Sequence, residues 1–590
     1  MFNTSKKQPR LGQWDGRRRS SRSDAPVLPR LWQPEVGRRL GVVVATLLGV
    51  TLLAYWWGPP LPFRLGEIYP NDLRVRAYFE VVNQPQTARI QEEAAQQLSS
   101  SGDGVGADEV PVAPVVERFP VGTPLVRRGQ PISESQLTLL KEEHRAFLKS
   151  LKPLDHARRG AALFLVMGLL AAVAVLYVVR FQQALAHSLV KITSVCTLVL
   201  LTMALSLLLN GPPWHAVLIP LTMTAMIFTI AFNPQFALLM SFSVALGTTV
   251  ALGTDLEHLL VQMAGLATSV LLLRNVRTRT RIVQVGVGAG LAYLAMTVAT
   301  GLLTDQNWKL IYFEAGRHLI WGCLAGFILT GCLPIVERCF GIVTDVRLLE
   351  LADGSHPLLQ ELIKRAPGTY THSMTVATLA ETAAEAIGAN PLLTRVGSYF
   401  HDIGKMLKPQ YFIENQAGEN RHDGLEPALS TLVIIGHIKD GLALASQYEL
   451  PRTIIDFIEQ HHGTTLVEYF YREAVRIQES SGLDVTPQEA SYRYPGPKPQ
   501  NRENGILMLA DAAESSSRSL DEPAPSSIRK LVHELMMKRL LDGQFEASGL
   551  TLTELHVVEE SLSKSLIALY HSRIKYPEED EDDEDSRQAS

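Results

Sequence analysis

The stretch 158–340 is almost wholly apolar, and no other feature constrains this chain as much. Within it, charge-poor runs recur at 159–179, 188–209, 214–232, 235–253, 257–273, 283–303 and 317–336. A helix of about 20 apolar residues crosses a hydrocarbon core of ~30 Å, and a chain in lipid must satisfy its backbone hydrogen bonds internally. Seven spans follow, with Asn233-Pro234 as a tight turn and 257–273 a short member. An eighth run, 40–57, follows an arginine-rich stretch and ends in Tyr55-Trp56-Trp57. Its long basic flank, its lack of a small-residue cleavage site and its interfacial aromatics favour an uncleaved helix over a signal peptide.

Parity tests this count. A basic N-terminus held inside puts 58–156 outside, and seven more spans return the chain to the cytoplasm. Arg274, Arg277, Arg279 and Arg281 then fall in a cytoplasmic loop, while 210–213 and 254–256 lie outside and carry no Lys or Arg. The positive-inside rule asks for this asymmetry.

The net charge of −5 averages unlike parts. Residues 1–39 hold ten Lys or Arg against three acids, and 578–585 are eight consecutive acids. Both read as disordered tails concerned with solubility and topology, with no nucleic-acid partner implied. The four cysteines, Cys196, Cys323, Cys332 and Cys339, lie in or beside expected spans. That argues against a disulfide framework and a thiolate zinc site.

Six segments result: a basic cytoplasmic tail (1–39), a first transmembrane helix (40–57), an extracytoplasmic segment (58–156), a seven-helix membrane domain (157–340), a soluble domain (341–577) and an acidic tail (578–590). The expected fold class is an all-α membrane bundle plus an all-α cytoplasmic domain, with a small mixed α/β outer segment. In that segment a strand around Val75–Val82 precedes a helix from Thr87. Gly102–Pro114 is a loop, and Val121–Gly129 and Ser133–Leu151 give a short strand pair and a helix. Without cysteines and with few aromatics it offers no chemistry, which leaves a spacer or a sensor of an extracytoplasmic ligand. Membrane lipid is the one certain environment, and a homo-oligomer is compatible with the layout.

From Asp345 the pattern is helical, with helices expected at 372–387, 391–401, 426–448, 452–462, 505–519 and 553–571. Along it stand His372, the dyad His401-Asp402, His437, the dyad His461-His462, and Asp511, with 28, 34, 23 and 48 residues between them. A lone helical histidine is ordinarily packed or solvated; two adjacent dyads flanked by single His and Asp at helix-scale separations are not explained so. Imidazoles and carboxylates without thiolate suit Fe or Mn, and less exclusively Zn. Two neighbouring cations need a bridging carboxylate, which the Asp of the His-Asp dyad supplies, and such a pair hydrolyses phosphate esters.

The string His401-Asp402-Ile403-Gly404-Lys405 is the signature of the HD phosphohydrolase superfamily. The domain more specifically resembles the cytoplasmic domain of the 7TM–HD membrane proteins, the PgpH-type cyclic di-AMP phosphodiesterases. The resemblance rests on Ala366–Ser373, Tyr494–Gln500 leading to Arg502-Glu503, Leu507–Glu514, and the stretch from Gly543-Gln544 through Leu550–Thr553 to Tyr570–Pro577. It covers nearly the whole soluble domain and the eight-span layout. It implies that His372, His401, Asp402 and Asp511 hold one divalent ion (Fe or Mn), and Asp402, His437, His461 and His462 the other. Asp402 then bridges, and Lys405 stands beside the metals to neutralise phosphate. The Tyr494–Pro499 segment is read as a brace.

Two departures stand out. Thr371 replaces a histidine common in the family, with little effect expected because His372 is kept. The outer segment is shorter than usual: Asp72–Thr87 and Gly122–Leu140 are similar to the family's extracellular domain, but the middle is missing. The implied activity is hydrolysis of a cyclic dinucleotide, cyclic di-AMP before others, in second-messenger signalling at a bacterial inner membrane. The rival reading is the same chemistry on cyclic di-GMP or another nucleotide. Against cyclic di-GMP, Tyr494-Pro495-Gly496 has the wrong place and order for that group's Gly-Tyr-Pro signature. A non-cleaving nucleotide receptor would have lost ligands. A transporter would place acid–base pairs at mid-membrane, whereas Lys191 and His258 lie near span ends.

Overall fold

The computed structural model describes residues 34–571, except 59–60, 62, 100–111, 212–213, 274–275, 417, 419, 482–486 and 521–522. Most of the basic tail, the whole acidic tail, nearly all of the Gly102–Pro114 loop and Arg274 therefore lie outside the described residues. The chain forms two compact units, one of residues up to Leu272 with Gly286–Gly326, the other of Leu273–Val285 with Phe327 onward.

In the first unit and its continuation, the apolar runs are helices: Pro34–Trp56, Pro153–Phe181, Leu189–Leu209, Leu218–Ala231, Pro234–Leu252, Leu256–Leu272, Arg279–Leu303 and Trp308–Phe340. Six are long and apolar enough to cross a membrane; Leu218–Ala231 and Leu256–Leu272 are shorter. The chain is a multi-pass membrane protein. At the expected turn, Asn233 caps the next helix by accepting from Phe236 N at 2.8 Å, with Pro234 at its first position. A Cβ on Gly322 would lie 2.4 Å from Gly290 Cα, so the last two helices meet through small residues.

The 58–156 segment holds two antiparallel pairs, Leu73–Arg74 with Pro124–Val126, and Phe79–Val82 with Val116–Phe119. The expected pairing differs: the two later strands do not pair with each other, and each returns to a strand from the start of the segment. Contacts between distant residues decided this, and local alternation carries no trace of it. Its helices are Gln84–Ser99 and Glu134–Ser150, around a core of Val75, Phe79, Leu125, Val126, Ile132 and Leu140. Glu143, 2% exposed, takes the Arg76 guanidinium at 2.8 Å.

The second unit carries an all-helical domain from Asp345 onward. The helices Pro367–Ala386, Pro391–Phe400, Pro427–Gln447, Arg452–Gln460, Arg502–Ser517 and Leu552–His571 stand where periodicity puts them. Asp345–Leu351, Pro357–Arg365, Glu468–Ser481 and Pro525–Leu541 join them. Arg452–Gln460 packs on two sides, giving Phe457 to the core of Val376, Ile506 and Val558, and Ile454 and Ile458 to the core of Leu358, Phe400 and Ile403. Pro427–Gln447 also has the length and apolarity of a membrane helix, but it carries His437 into the soluble domain. Gly404 lets the chain pass against it, because a Cβ there would lie 1.9 Å from the His437 carbonyl oxygen.

Candidate metal centre

The two dyads occupy equivalent places. His401 closes the helix Pro391–Phe400 and Asp402 opens the 3-10 turn Ile403–Leu407; His461 closes Arg452–Gln460, followed by His462. Helix ends leave carbonyls without intrahelical partners, and the dyad imidazoles use them. Nδ1 of His401 bonds Ser398 O at 2.7 Å, and Nδ1 of His461 bonds Ile458 O at 3.0 Å. Nδ1 of His437 bonds Ile434 O at 2.6 Å, and that of His372 bonds a Glu514 carboxylate oxygen at 2.5 Å. In each ring Nδ1 is the donor, which leaves the lone pair of the neutral ring on Nε2.

These Nε2 atoms converge on Asp402. Its Oδ2 lies 3.2 Å from His401 Nε2 and 3.6 Å from His372 Nε2. Its Oδ1 lies 3.4 Å from His437 Nε2 and 3.6 Å from His461 Nε2. Asp511 Oδ1 stands 3.1 Å from His372 Nε2, and its Oδ2 3.8 Å from His462 Nδ1. All seven side chains come together as two sets, His372, His401, Asp402 and Asp511, and Asp402, His437, His461 and His462. Within each set the ligand atoms lie within 4.8 Å of one another, and one carboxylate serves both.

The donor set fits divalent cations. His437 and His461 bring two lone-pair nitrogens to 3.3 Å, an arrangement that repels unless a cation or proton stands between them. His401 Nε2 and Asp402 Oδ1 are buried with no hydrogen-bond partner among the described residues. Orphaned buried polar atoms are costly, and here they point at a common centre.

Electrostatics divide the cluster. Burial works against charge on His401, yet Asp402 outweighs it and holds that imidazole up to about 10 without metal. Burial pushes His437 down to about 4, and with its histidine neighbours holds His462 well below the usual range. Asp402 and Asp511, despite burial, are held well below the carboxylate range by the surrounding imidazoles, Asp402 also by Lys405. Both carboxylates are thus ionised and ready to ligate.

Lys405 Nζ sits 2.7 Å from Asp402 Oδ2 and 3.0 Å from Glu414 Oε1, and these carboxylates raise its pKa against burial. Its charge is shared with the site itself. Thr371 bonds the Pro367 carbonyl from an exposed position and leaves the centre alone. Three participants escaped the sequence reading. Glu514, three residues after Asp511, orients His372 and is held by Arg518 at 2.5 Å. Glu414 anchors Lys405 and accepts from Thr369 Oγ1 at 3.0 Å. Tyr494 stacks on His462 with ring centroids 4.3 Å apart. In the segment read as a brace, Lys498 pairs with Glu546 at 3.1 Å, while its first residue stacks on His462.

A helical domain built on a His-Asp dyad, attached to a multi-pass bundle, defines the class of membrane-anchored HD-domain proteins. Residues 158–344 match the family described as 7TM receptor with intracellular HD hydrolase, and 369–515 match the HD domain. The cyclic-di-AMP phosphodiesterase PgpH of Listeria monocytogenes is 36% identical over 513 residues, 85% of this chain and 67% of that protein. The chain belongs to this PgpH family of 7TM–HD proteins. PgpH of Bacillus subtilis is 37% identical over 71% of this chain, and the chain spans 60% of that relative's length. The crystal structure of the L. monocytogenes PgpH HD domain in complex with cyclic-di-AMP is 46% identical, covering 38% of this chain and all of that one, with a TM-score of 0.35.

Proposed function

We propose that the chain is a phosphodiesterase that hydrolyses cyclic di-AMP to the linear dinucleotide pApA with two divalent ions, Fe or Mn. In this reading residues 157–340 form the membrane domain, and the HD domain, 341–577, faces the cytoplasm of a bacterial inner membrane. One observation carries it: the two oxygens of Asp402 face two separate histidine sets, in a chain whose relatives carry the name cyclic-di-AMP phosphodiesterase.

His372, His401, Asp402 and Asp511 hold one ion and Asp402, His437, His461 and His462 the other. Such ions supply Lewis-acid stabilisation of charge at phosphorus and activation of water. The chain's own residues do the rest. Main-chain carbonyls of Ser398, Ile434 and Ile458, together with Glu514, fix four of the imidazoles so that Nε2 points inward. Lys405, 13% exposed and poised by Glu414, offers a cation to the phosphate beside Asp402. Tyr494 holds the ring of His462, the most exposed of the seven ligands at 20%.

The test is turnover by the purified full chain, loaded anaerobically with Mn or Fe, on cyclic di-AMP, cyclic di-GMP and a guanosine alarmone side by side. Preferential release of pApA is expected. Preference for another substrate would keep the two-metal site and reassign the messenger, and metal-loaded protein that turns over none would favour a binding receptor.

A further inference from the structure

Two places outside the ligand set gather charge, and they differ in how it is balanced. An outer cavity of about 80 Å³ beside the 58–156 segment is lined by Arg64, Glu67, Glu257, His258, Glu314 and His318. There Arg64 and Arg317 both pair with Glu314. The second place lies in the HD domain, at Arg539 in the last turn of the helix Pro525–Leu541.

Other half-buried arginines of this domain have counterions. Arg395 pairs with Glu381 at 3.0 Å, Arg493 with Asp542 at 3.0 Å and Arg502 with Glu554 at 2.6 Å. Arg539 is half-buried like them. Among the described residues, however, its guanidinium forms no ion pair and its buried Nε has no hydrogen-bond partner. Burial pushes its pKa down, and the groups that oppose burial are Asp511 first, then Tyr494, Glu468 and Asp542. Of these, Glu468 is taken by Lys538 and Asp542 by Arg493. A cation away from water without its own counterion is costly, and the group that favours this one most is a residue of the metal centre.

The backbone fixes where the cation stands. Gln544 N donates to Arg539 O at 3.0 Å. The Gln544 side chain is in turn clasped to Thr464, accepting from its N at 3.0 Å and donating to its Oγ1 at 2.9 Å. Thr464 follows His462 by two residues. Arg493, held to Asp542 just beyond the helix, immediately precedes Tyr494, which stacks on His462. Burial raises the Tyr494 pKa, while Lys405 and Arg539 both oppose that rise, so both cations border this ring. Lys405 thus stands at the Asp402 side of the centre, and Arg539 at the side of Asp511 and Tyr494.

We propose that Arg539 binds the second phosphodiester of a cyclic dinucleotide whose first lies at the metal centre beside Lys405. The inference rests on the two-metal phosphodiesterase reading and adds to it a reason for choosing a dinucleotide. A cyclic dinucleotide carries two phosphodiester anions, and the centre with Lys405 answers one. Guanidinium meets phosphate oxygens with two parallel N–H donors, so a guanidinium with no other partner suits the second. Arg539 takes no part in breaking the bond. It sets which substrates are held.

The test uses the detergent-solubilised full chain loaded with Mn²⁺. Calorimetry gives its Kd for the bisphosphorothioate analogue of cyclic di-AMP, which resists hydrolysis, so the readout needs no turnover. Arg539→Gln is expected to raise that Kd by about 10 to 100-fold. Hydrolysis of bis(p-nitrophenyl) phosphate, which has a single phosphodiester, should fall far less. Arg539→Lys keeps the charge but not the fork; it should lie between the parent and Arg539→Gln, and is read by the same criteria if Arg539→Gln misfolds. An unchanged Kd, or no binding by the parent, would overturn the proposal. Equal losses for both compounds would overturn it too, because they mark a structural role. If the parent converts no cyclic di-AMP, the proposed activity fails while the Kd still decides Arg539.

Discussion

The HD centre and the outer cavity draw on the same residue types, histidines with carboxylates, and arrange them differently. In the HD centre four imidazoles are oriented by main-chain carbonyls or by Glu514, and among the described residues no arginine forms an ion pair with Asp402 or Asp511. In the outer cavity a hydroxyl orients one imidazole, and two arginines share Glu314. A rigid backbone frame fixes donors before any ion arrives, so binding need not reorganise the site. In the outer cavity Glu314 is already paired with two arginines, and among the described residues the ligand sets that converge are those of the HD centre. Histidine count says little; what stands behind each ring says more.

The largest expected effect tests whether Asp402 unites the two halves. Asp402→Ala should remove both ions and lower turnover by roughly 10⁴-fold, read by metal analysis and product chromatography; retention of one full-strength ion would show that the halves are independent. Next comes Lys405→Met. Losing a charge that acts on the phosphate should cost on the order of 10²-fold in kcat with both ions still bound, whereas loss of the ions would make Lys405 a support for Asp402 instead. Glu514→Gln keeps the shape but weakens the acceptor behind His372, and metal affinity should fall by about 10 to 100-fold. An unchanged affinity would mean that backbone packing alone orients that ring.

The smallest effect concerns protons. An unfolded histidine titrates near 6.5, while burial holds His437 down to about 4. As pH falls from about 6.5 towards about 4 the unfolded metal-free chain takes up a proton that folded His437 refuses, so this residue lowers stability across that window and has no such effect above it. Denaturant titrations of metal-free protein should therefore lose stability less steeply with falling pH in His437→Gln than in the parent. An identical slope would remove His437 as the cause.

The clustering of the seven side chains was legible because adjacency in sequence is rare for these types, and helix ends convert adjacency into convergence, as His401-Asp402 and His461-His462 do. Glu514 carries no such mark. A glutamate three residues beyond an aspartate in a helix looks like solvated surface, and only the burial of Arg502–Ser517 against Pro367–Ala386 turns it towards His372. Glu414 lies in the three-residue 3-10 turn Ile413–Asn415 and Tyr494 in irregular chain, both too short or aperiodic for periodicity to mark. The spans were readable from length and apolarity, but strand partners in the outer segment depend on residues some 40 positions apart, such as Glu80 and Arg118, which no local pattern announces.

The Pro427–Gln447 helix has a consequence for how the protein is made. A segment with the length and apolarity of a span emerges from the ribosome before Arg452–Gln460 and Glu468–Ser481, which also pack on it, have been synthesised. Its protection is written at its middle, where Lys439 and Asp440 sit side by side. Each costs roughly 2.5–3.5 kcal/mol at the centre of an inserting helix. Neither belongs to the ligand set, and Asp440 pairs only loosely with Lys408 at 3.6 Å. Two adjacent charges near its middle oppose insertion of this helix into a bilayer. A ninth crossing would divide the ligands themselves, leaving His372 and His401 on one side of the bilayer and His461, His462 and Asp511 on the other.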